Sequence, residues 1–395
     1  MATINPKLLK EIKKYSGRDF NIDACFNCGN CTAVCPLSTS KTQFPRSLIR
    51  YGQVGLKDKI LQSDSLWICS YCNDCSDTCP RDAAPGEFVA AARKWAISEY
   101  DVTGFAKLFN SSNYSKLFFV LLIPILSLVF VSFIGNFDAI TNNRPIKLFD
   151  LFDKLLVEIL GLFLAIYLVA IIGLSVLKMY INVAREQDEN YSILDLFRSP
   201  ILFVKNLFVI LFVEVIGQKK QYDCYMELDE KKSIFTTRWF IHQLIFLGFL
   251  GLGLATFLNW IFKEDSNALV PIYHPIRLLG ILSGIFFMLG ISMAFWNRLR
   301  KTDKYSSKSN FDDYFLLVFL WLFGATGFLV TGSLYITEIP ASWAYYFFIL
   351  HLIVVLELFI LAPFTKFAHV WFRTFALWIH RAIETKKIKQ SSSSN

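Results

Sequence analysis

Six apolar runs, each close to the length needed to cross a bilayer, restrict what this chain can fold into more than any other feature. A helix needs roughly 20 residues to cross a ~30 Å hydrocarbon layer. Runs of that size lie at about 117–135, 156–177, 239–261, 275–296, 312–334 and 343–365. In hydrocarbon the backbone must satisfy its own hydrogen bonds, so each run is expected to be a helix. A seventh run, Pro200 to Ile216, is shorter, starts with Pro and carries Lys205 and Glu214. It is expected to lie in the membrane interface rather than to span.

Composition agrees. Of 395 residues, 54% are hydrophobic, 16% aromatic and only 18% charged, where a soluble domain has about a quarter charged. These figures exclude a disordered chain, a collagen-like repeat and a secreted disulfide scaffold. The net charge of +8 has to be placed before it is interpreted, because cytoplasmic loops collect Lys and Arg. Arg298, Arg300, Lys301, Lys304 and Lys308 lie between the fourth and fifth runs, and the 178–238 connection and the tail are also basic. By contrast, 262–273 holds only Lys263, and 335–342 has no Lys or Arg. Six spans with both termini in the cytoplasm put every strongly basic segment inside, whereas a seventh span would put 298–310 outside. The 136–154 loop, with Arg144, Lys147 and Lys154, is a mild exception offset by three Asp. The positive charge is therefore topological, and no nucleic-acid partner is expected. Met1 to Phe20 is Lys-rich without an apolar core, so no signal peptide is expected. The expected organisation is a soluble domain over 1–110, a membrane domain over 111–385 and a Ser-rich disordered tail over 386–395.

Eight of the nine Cys fall between Cys25 and Cys79. Cys25, Cys28, Cys31 and Cys35-Pro36 are followed by Cys69, Cys72, Cys75 and Cys79-Pro80, twice the C-x2-C-x2-C-x3-C-P spacing of two-cluster ferredoxins. Three Cys at two-residue intervals wrap one cubane, and the fourth points from the following turn towards the other. The expected ligand sets are Cys25, Cys28, Cys31 and Cys79 for one [4Fe–4S] cluster, and Cys69, Cys72, Cys75 and Cys35 for the second. A zinc site would use paired arms at longer separation, and a domain facing a reducing cytosol disfavours disulfides. The insert from Phe44 to Trp67 reads as helical, like the dehydrogenase-type dicluster domain. Cys224 stands alone and reads as an incidental thiol.

Of five His, four fall in or at the ends of the apolar runs: His242, His274, His351 and His369. Ionisable residues in spans default to a functional role. His351 and His369 are 18 residues apart, five helical turns, which would put both on one face of a single helix, roughly 27 Å apart. Two bis-imidazole b haems are expected, His242/His369 on the inner side and His274/His351 on the outer. His274 has a second reading as a quinone ligand. Gly248, Gly251, Gly253, Gly280 and Gly284 either leave room for the macrocycles or allow close helix packing. His380 is expected to be solvated.

Trp67-Ile68-Cys69-Ser70-Tyr71-Cys72 and Ala91-Ala92-Arg93-Lys94-Trp95 resemble the C subunit of heterodisulfide reductase. His274-Pro275-Ile276-Arg277 and Pro363-Phe364-Thr365-Lys366-Phe367-Ala368-His369 resemble the cytochrome b of respiratory nitrate reductase. That cytochrome has two His on its second span, whereas the third span here has only His242. The fusion of the two parts, over nearly all of the chain, resembles the C subunit of the quinone-interacting membrane-bound oxidoreductase (Qmo). The resemblance implies a mainly α protein, a helical two-[4Fe–4S] ferredoxin domain followed by a six-helix transmembrane cytochrome b bundle. It further implies menaquinone, soluble flavin–Fe–S partner subunits and a link to adenylylsulfate reductase. His274 and Arg277 would meet quinone, or Arg277 a haem propionate; Lys366 and Arg373, at −3 and +4 from His369, would meet the inner propionates. Glu357 either relays protons or hydrogen-bonds to a neighbouring helix.

Overall fold

The structure, a computed structural model, describes residues 4–17, 19–38, 43–187, 200–219, 222, 233–262, 270–301 and 309–393. Cys224, Lys263, Lys304 and Lys308 lie outside the described residues, and so do the expectations placed on them.

The N-terminal domain is helical, and the only β pairing among the described residues is an isolated bridge between Ile4 and Leu56. Helices α1 (Leu8–Lys14), α2 (Arg46–Val54), α3 (Lys57–Leu61), α4 (Ser65–Ile68) and α5 (Pro85–Tyr100) surround one core. Leu8 and Ile12 lie one turn apart on α1 and are fully buried, as expected of a one-faced helix. Pro at the first position of α5 removes only an amide with no intrahelical partner. The insert between the cysteine motifs forms α2 to α4, helical as its pattern indicates.

Six further helices are long and apolar enough to cross a membrane, at the positions read from hydropathy: α6 (Asn113–Ile134), α7 (Lys154–Gln187), α9 (Arg238–Phe262), α10 (Pro275–Arg300), α11 (Phe311–Tyr335) and α12 (Ala341–Leu361). Between α7 and α9, α8 (Pro200–Val209) runs on as a π-helical turn to Ile216. The last helix, α13 (His369–Ser393), passes through the segment expected to be a disordered tail, so that expectation fails for 386–393.

Glycines set the closeness of α9 and α10. A Cβ at Gly248 would lie 2.6 Å from the Phe287 amide nitrogen, and one at Gly251 would overlap Ser283 Oγ. A Cβ at Gly284 would meet the Phe328 ring of α11 less tightly, at 3.0 Å. Gly248, Gly251 and Gly284 serve helix approach rather than opening space for a macrocycle, whereas Gly253 faces open space and Gly280 makes only ordinary contact with Ala255.

The N-terminal domain and the bundle share one core. α7 has 34 residues, about 51 Å at 1.5 Å per residue, well beyond a ~30 Å hydrocarbon layer. Its last turns deliver Val176, Met179 and Val183 into the cluster that holds Leu48, Trp67 and Trp95, and α13 adds Phe372, Ala376 and Ile379. The Phe372 ring stacks on Trp67 at 4.9 Å and on Tyr100 at 5.9 Å. Polar ties reinforce the join. His380 Nδ1 lies 2.6 Å from Asp64 Oδ2, so this histidine is paired with the N-terminal domain rather than solvated. Lys94 on α5 and Lys116 on α6 both pair with Asp312 at the start of α11. Burial pulls the Lys94 ammonium down to about 8, against the attraction of Asp312.

Truncating Phe372 to Ala should cost about 3–5 kcal/mol and loosen the two parts from one another. Limited proteolysis checks this: the N-terminal domain of F372A should be released at protease doses that leave the parent chain intact.

Candidate functional site

The two cysteine loops have the same local conformation. In Cys25–Cys31, Asn27 and Gly29 are left-handed; in Cys69–Cys75 the residues at the matching positions, Tyr71 and Asn73, are left-handed too. Each loop leads into one short helical turn, Asn30–Ala33 or Asp74–Asp77. A non-glycine residue held left-handed costs free energy and persists only where its surroundings require it. Here it curls three cysteines around a common centre. Matching amides point at sulfur, with Asn27 N donating to Cys25 Sγ at 3.4 Å and Tyr71 N to Cys69 Sγ at 3.4 Å. Glu87 braces the second loop from beneath, accepting from Asn73 Nδ2 at 3.2 Å and from the Ser76 hydroxyl.

The eight thiols fall into two groups that exchange their fourth members. Burial raises the Cys31 thiol, and Cys25, Cys28 and Cys79 lie near enough for their charges to raise it further. Burial likewise raises Cys75, helped by Cys69, Cys72 and Cys35 and least by Cys31 of the other group. Cys35, Cys69, Cys72 and Cys75 also line one small apolar cavity. Burial pushes the Cys72 thiol up to about 12, so gathered thiolates here need a cationic centre between them. A single zinc ion at about 2.3 Å from each sulfur would need them nearly in mutual contact. Among the described residues no three His, Cys, Asp or Glu are gathered that tightly. Eight thiols on two such loops are a donor set that fits two cubanes better than single ions.

Next to the second loop is a cavity of about 350 Å³ lined by Cys69, Ser70 and Tyr71 on one side and by His242 and His369 on the other. His242 is exposed, but into this space rather than to bulk water. His369 Nδ1 is buried with no hydrogen-bond partner among the described residues. Burial, with Arg93 and Arg373 nearby, holds the His369 imidazole well below its ordinary value, hence neutral and able to act as a ligand. A partly open cavity with a neutral, unpartnered imidazole and a second imidazole on its wall fits a haem held by two histidines.

The outer pair is placed differently. His274 is the N-cap of α10. His351 Nδ1 lies 2.9 Å from Thr326 Oγ1 on α11, and its ring packs beside Phe323. Neither lines the cavity of His242 and His369. His351 and His369 do not share a helix as their spacing suggested, because the chain leaves α12 at Leu361. It then makes two 3-10 turns, Ala362–Phe364 and Lys366–Ala368, with Thr365 extended between them. Pro363 cannot donate to a continuing helix, and Thr365 caps the second turn by accepting from Phe367 N.

The residues expected at the propionates and the quinone each have a protein neighbour. Lys366 pairs with Asp313, Arg373 Nη1 donates to the Cys69 carbonyl at 3.2 Å, and the Arg277 guanidinium lies 5.8 Å over the Tyr335 ring. Glu357 is buried on α12, and its Oε1 has no partner among the described residues, so the expected bond to a neighbouring helix is not seen at that oxygen.

Two arginines to which the sequence reading gave no role complete the site. Arg93 donates to the Leu66 and Cys69 carbonyls at 2.9 Å each. Arg238 Nη1 reaches the Ser70 and Tyr71 carbonyls at 3.2 Å. A signal for Arg238 was available: it stands four residues before His242, mirroring Arg373 four residues after His369.

Residues 21–83 match the family model of the 4Fe-4S dicluster domain, and residues 224–391 match that of citrate utilization protein B. The N-terminal part is 34% identical over 102 residues to the iron-sulfur C subunit of CoB–CoM heterodisulfide reductase from Methanopyrus kandleri, covering 24% of this chain and 53% of that protein. It is 38% identical over 90 residues to the C subunit of the H(2):CoB-CoM heterodisulfide,ferredoxin reductase of Methanothermobacter thermautotrophicus, covering 23% and 48%. With a protein of Archaeoglobus profundus that is like the heterodisulfide reductase C subunit it shares 33% over 101 residues, covering 25% and 53%. The chain spans about half the length of the curated relatives it matches. No solved structure matches. The N-terminal domain is thus a two-[4Fe–4S] domain carried by a chain with six candidate spans.

Replacing Cys79 by Ala should deplete the cluster of the first loop, although Cys79 belongs to the second motif. Iron analysis should fall by about four of roughly eight atoms, and EPR should keep the signal that Cys35→Ala removes.

Proposed function

We propose that this chain is the membrane subunit of a respiratory electron-transfer complex, passing electrons between menaquinone in the bilayer and soluble flavin/Fe–S subunits. In this reading both termini lie in the cytoplasm, and the N-terminal domain meets its partners there. When bound, two [4Fe–4S] clusters and two b haems would supply one-electron carriers at fixed positions. The chain's own residues do the rest. The crossed cysteine sets would hold the two clusters, and His242 and His369 would hold the inner haem. His274 and His351 would serve the outer one, nearer the quinone. His274 and Arg277, at the start of α10, lie where a quinone headgroup would find a donor.

One observation supports the reading above the others: the cavity shared by His242 and His369 is also lined by Cys69, Ser70 and Tyr71. A haem site and a cluster site that share a wall suit electron transfer and serve no purpose in a passive anchor. The relatives of the N-terminal part are heterodisulfide reductase subunits by name, which favours a heterodisulfide reductase-type partner as the second reading. The link to adenylylsulfate reductase rests on the Qmo resemblance alone.

A dithionite-reduced spectrum of the purified chain tests the proposal and should show the α band of b-type haem. His369→Ala should remove the inner haem's share of it and leave both cluster EPR signals. A preparation with clusters and no such band would make the chain a haem-free Fe–S adaptor on a membrane anchor. Retention of both haems in H369A would refute the inner pairing.

A further inference from the structure

Arg93, Arg238 and Arg373 come from three separate helices, α5, α9 and α13, and all three donate to carbonyls of one short stretch. Cys69 O accepts from Arg93 Nη2 at 2.9 Å and from Arg373 Nη1 at 3.2 Å, while Ser70 O and Tyr71 O accept from Arg238 Nη1 at 3.2 Å. All three arginines line the cavity, so the surface they leave uncovered faces that space. Three guanidinium groups at one loop repel each other and are poorly hydrated. Burial and this mutual repulsion lower Arg93 and bring Arg373 down to about 10.

Among the described residues no arginine donates to a carbonyl of the other cysteine loop; Arg46 stands beside Gly29 there, but its guanidinium bonds Gln43. Its Cys25 carbonyl accepts from the neutral amide of Gln53 at 3.1 Å, and Cys28 is exposed to solvent. Three arginines bonded to the Cys69 loop against one half-buried arginine beside the other leave an excess of buried positive charge at one of two loops that are otherwise alike in conformation.

Adding an electron to a cluster adds a negative charge, and fixed cations nearby favour that reduced form. A unit charge at about 10 Å, in surroundings of effective dielectric about 20, changes such an equilibrium roughly tenfold. Resting on the dicluster reading, we infer that Arg93, Arg238 and Arg373 are positioning residues that selectively raise the reduction potential of the cluster on the Cys69 loop. They also lock that loop to the histidine cavity, which makes this cluster the junction between the membrane site and the exposed Cys25 loop. Arg238 and Arg373 each stand one helical turn from a cavity histidine, so the same two helices fix the histidines and the loop.

The test is an EPR-monitored redox titration of the full-length protein in detergent, comparing the parent chain with R238Q, R373Q, R373K and E214Q. Glu214 lines the same cavity and acts on Arg373 with the opposite charge. R238Q and R373Q should each lower the midpoint of one cluster by about tenfold in its reduced-to-oxidised ratio, ~59 mV for one electron, and leave the other in place. R373K should stay near the parent value, and E214Q should shift the same cluster upward. E214Q removes no contact with the loop, so it reads the electrostatics even where an arginine variant loses its cluster. Midpoints unmoved in R238Q, R373Q and E214Q, or both clusters moving together, would overturn the inference and leave the dicluster assignment standing. A parent chain without two clusters would overturn both.

Discussion

Buried positive charge around one loop is the constraint on which the junction of this protein depends. An unpaired buried ion costs several kcal/mol even after relaxation, and six cationic side chains line the central cavity against four acidic ones. Lys94 and Lys366 are answered by Asp312 and Asp313. The arginines on the Cys69 loop meet carbonyl dipoles there. A cluster bound through four thiolates carries net negative charge, and haem propionates would add more. The same imbalance that makes this region costly as bare protein makes it suitable once those groups are in place.

The join also depends on apolar packing that leaves little freedom between the two parts. A ferredoxin domain on a flexible linker would close its core on itself. Here Trp67 and Tyr100 complete theirs against Phe372, and Met179 of α7 is buried in the same cluster. Fixed separation matters physically, because electron tunnelling falls steeply with distance and a relay works only if its steps do not drift.

Features set by neighbouring residues were legible in the sequence. Six spans could be read because hydropathy over about 20 residues decides burial in lipid, and the cysteine loops because two-residue spacing fixes their curl. The histidine pair 18 residues apart misled, since helical periodicity assumes an unbroken helix and Pro363 with extended Thr365 interrupts it. Gly248 and Gly251 allowed two readings, and the approach of Phe287 and Ser283 decides for packing. His380 with Asp64 and Arg238 with Tyr71 were out of reach, because their partners lie 316 and 167 residues away.

The break after α12 gives α13 its function. Had α12 continued through Pro363, the residues after Thr365 would have followed the direction of a membrane span. Instead a new helix starts at His369, and its 3.6-residue repeat puts His369, Phe372, Arg373, Ala376 and His380 along one side. Each of them meets a different part of the site: the cavity, the Trp67 and Tyr100 rings, the Cys69 carbonyl, the shared core and Asp64. One face of one helix therefore aligns histidine, aromatic anchor and arginine against the cysteine loop. A shift of α13 would disturb all of them together, which ties the geometry of the membrane site to that of the cluster loop.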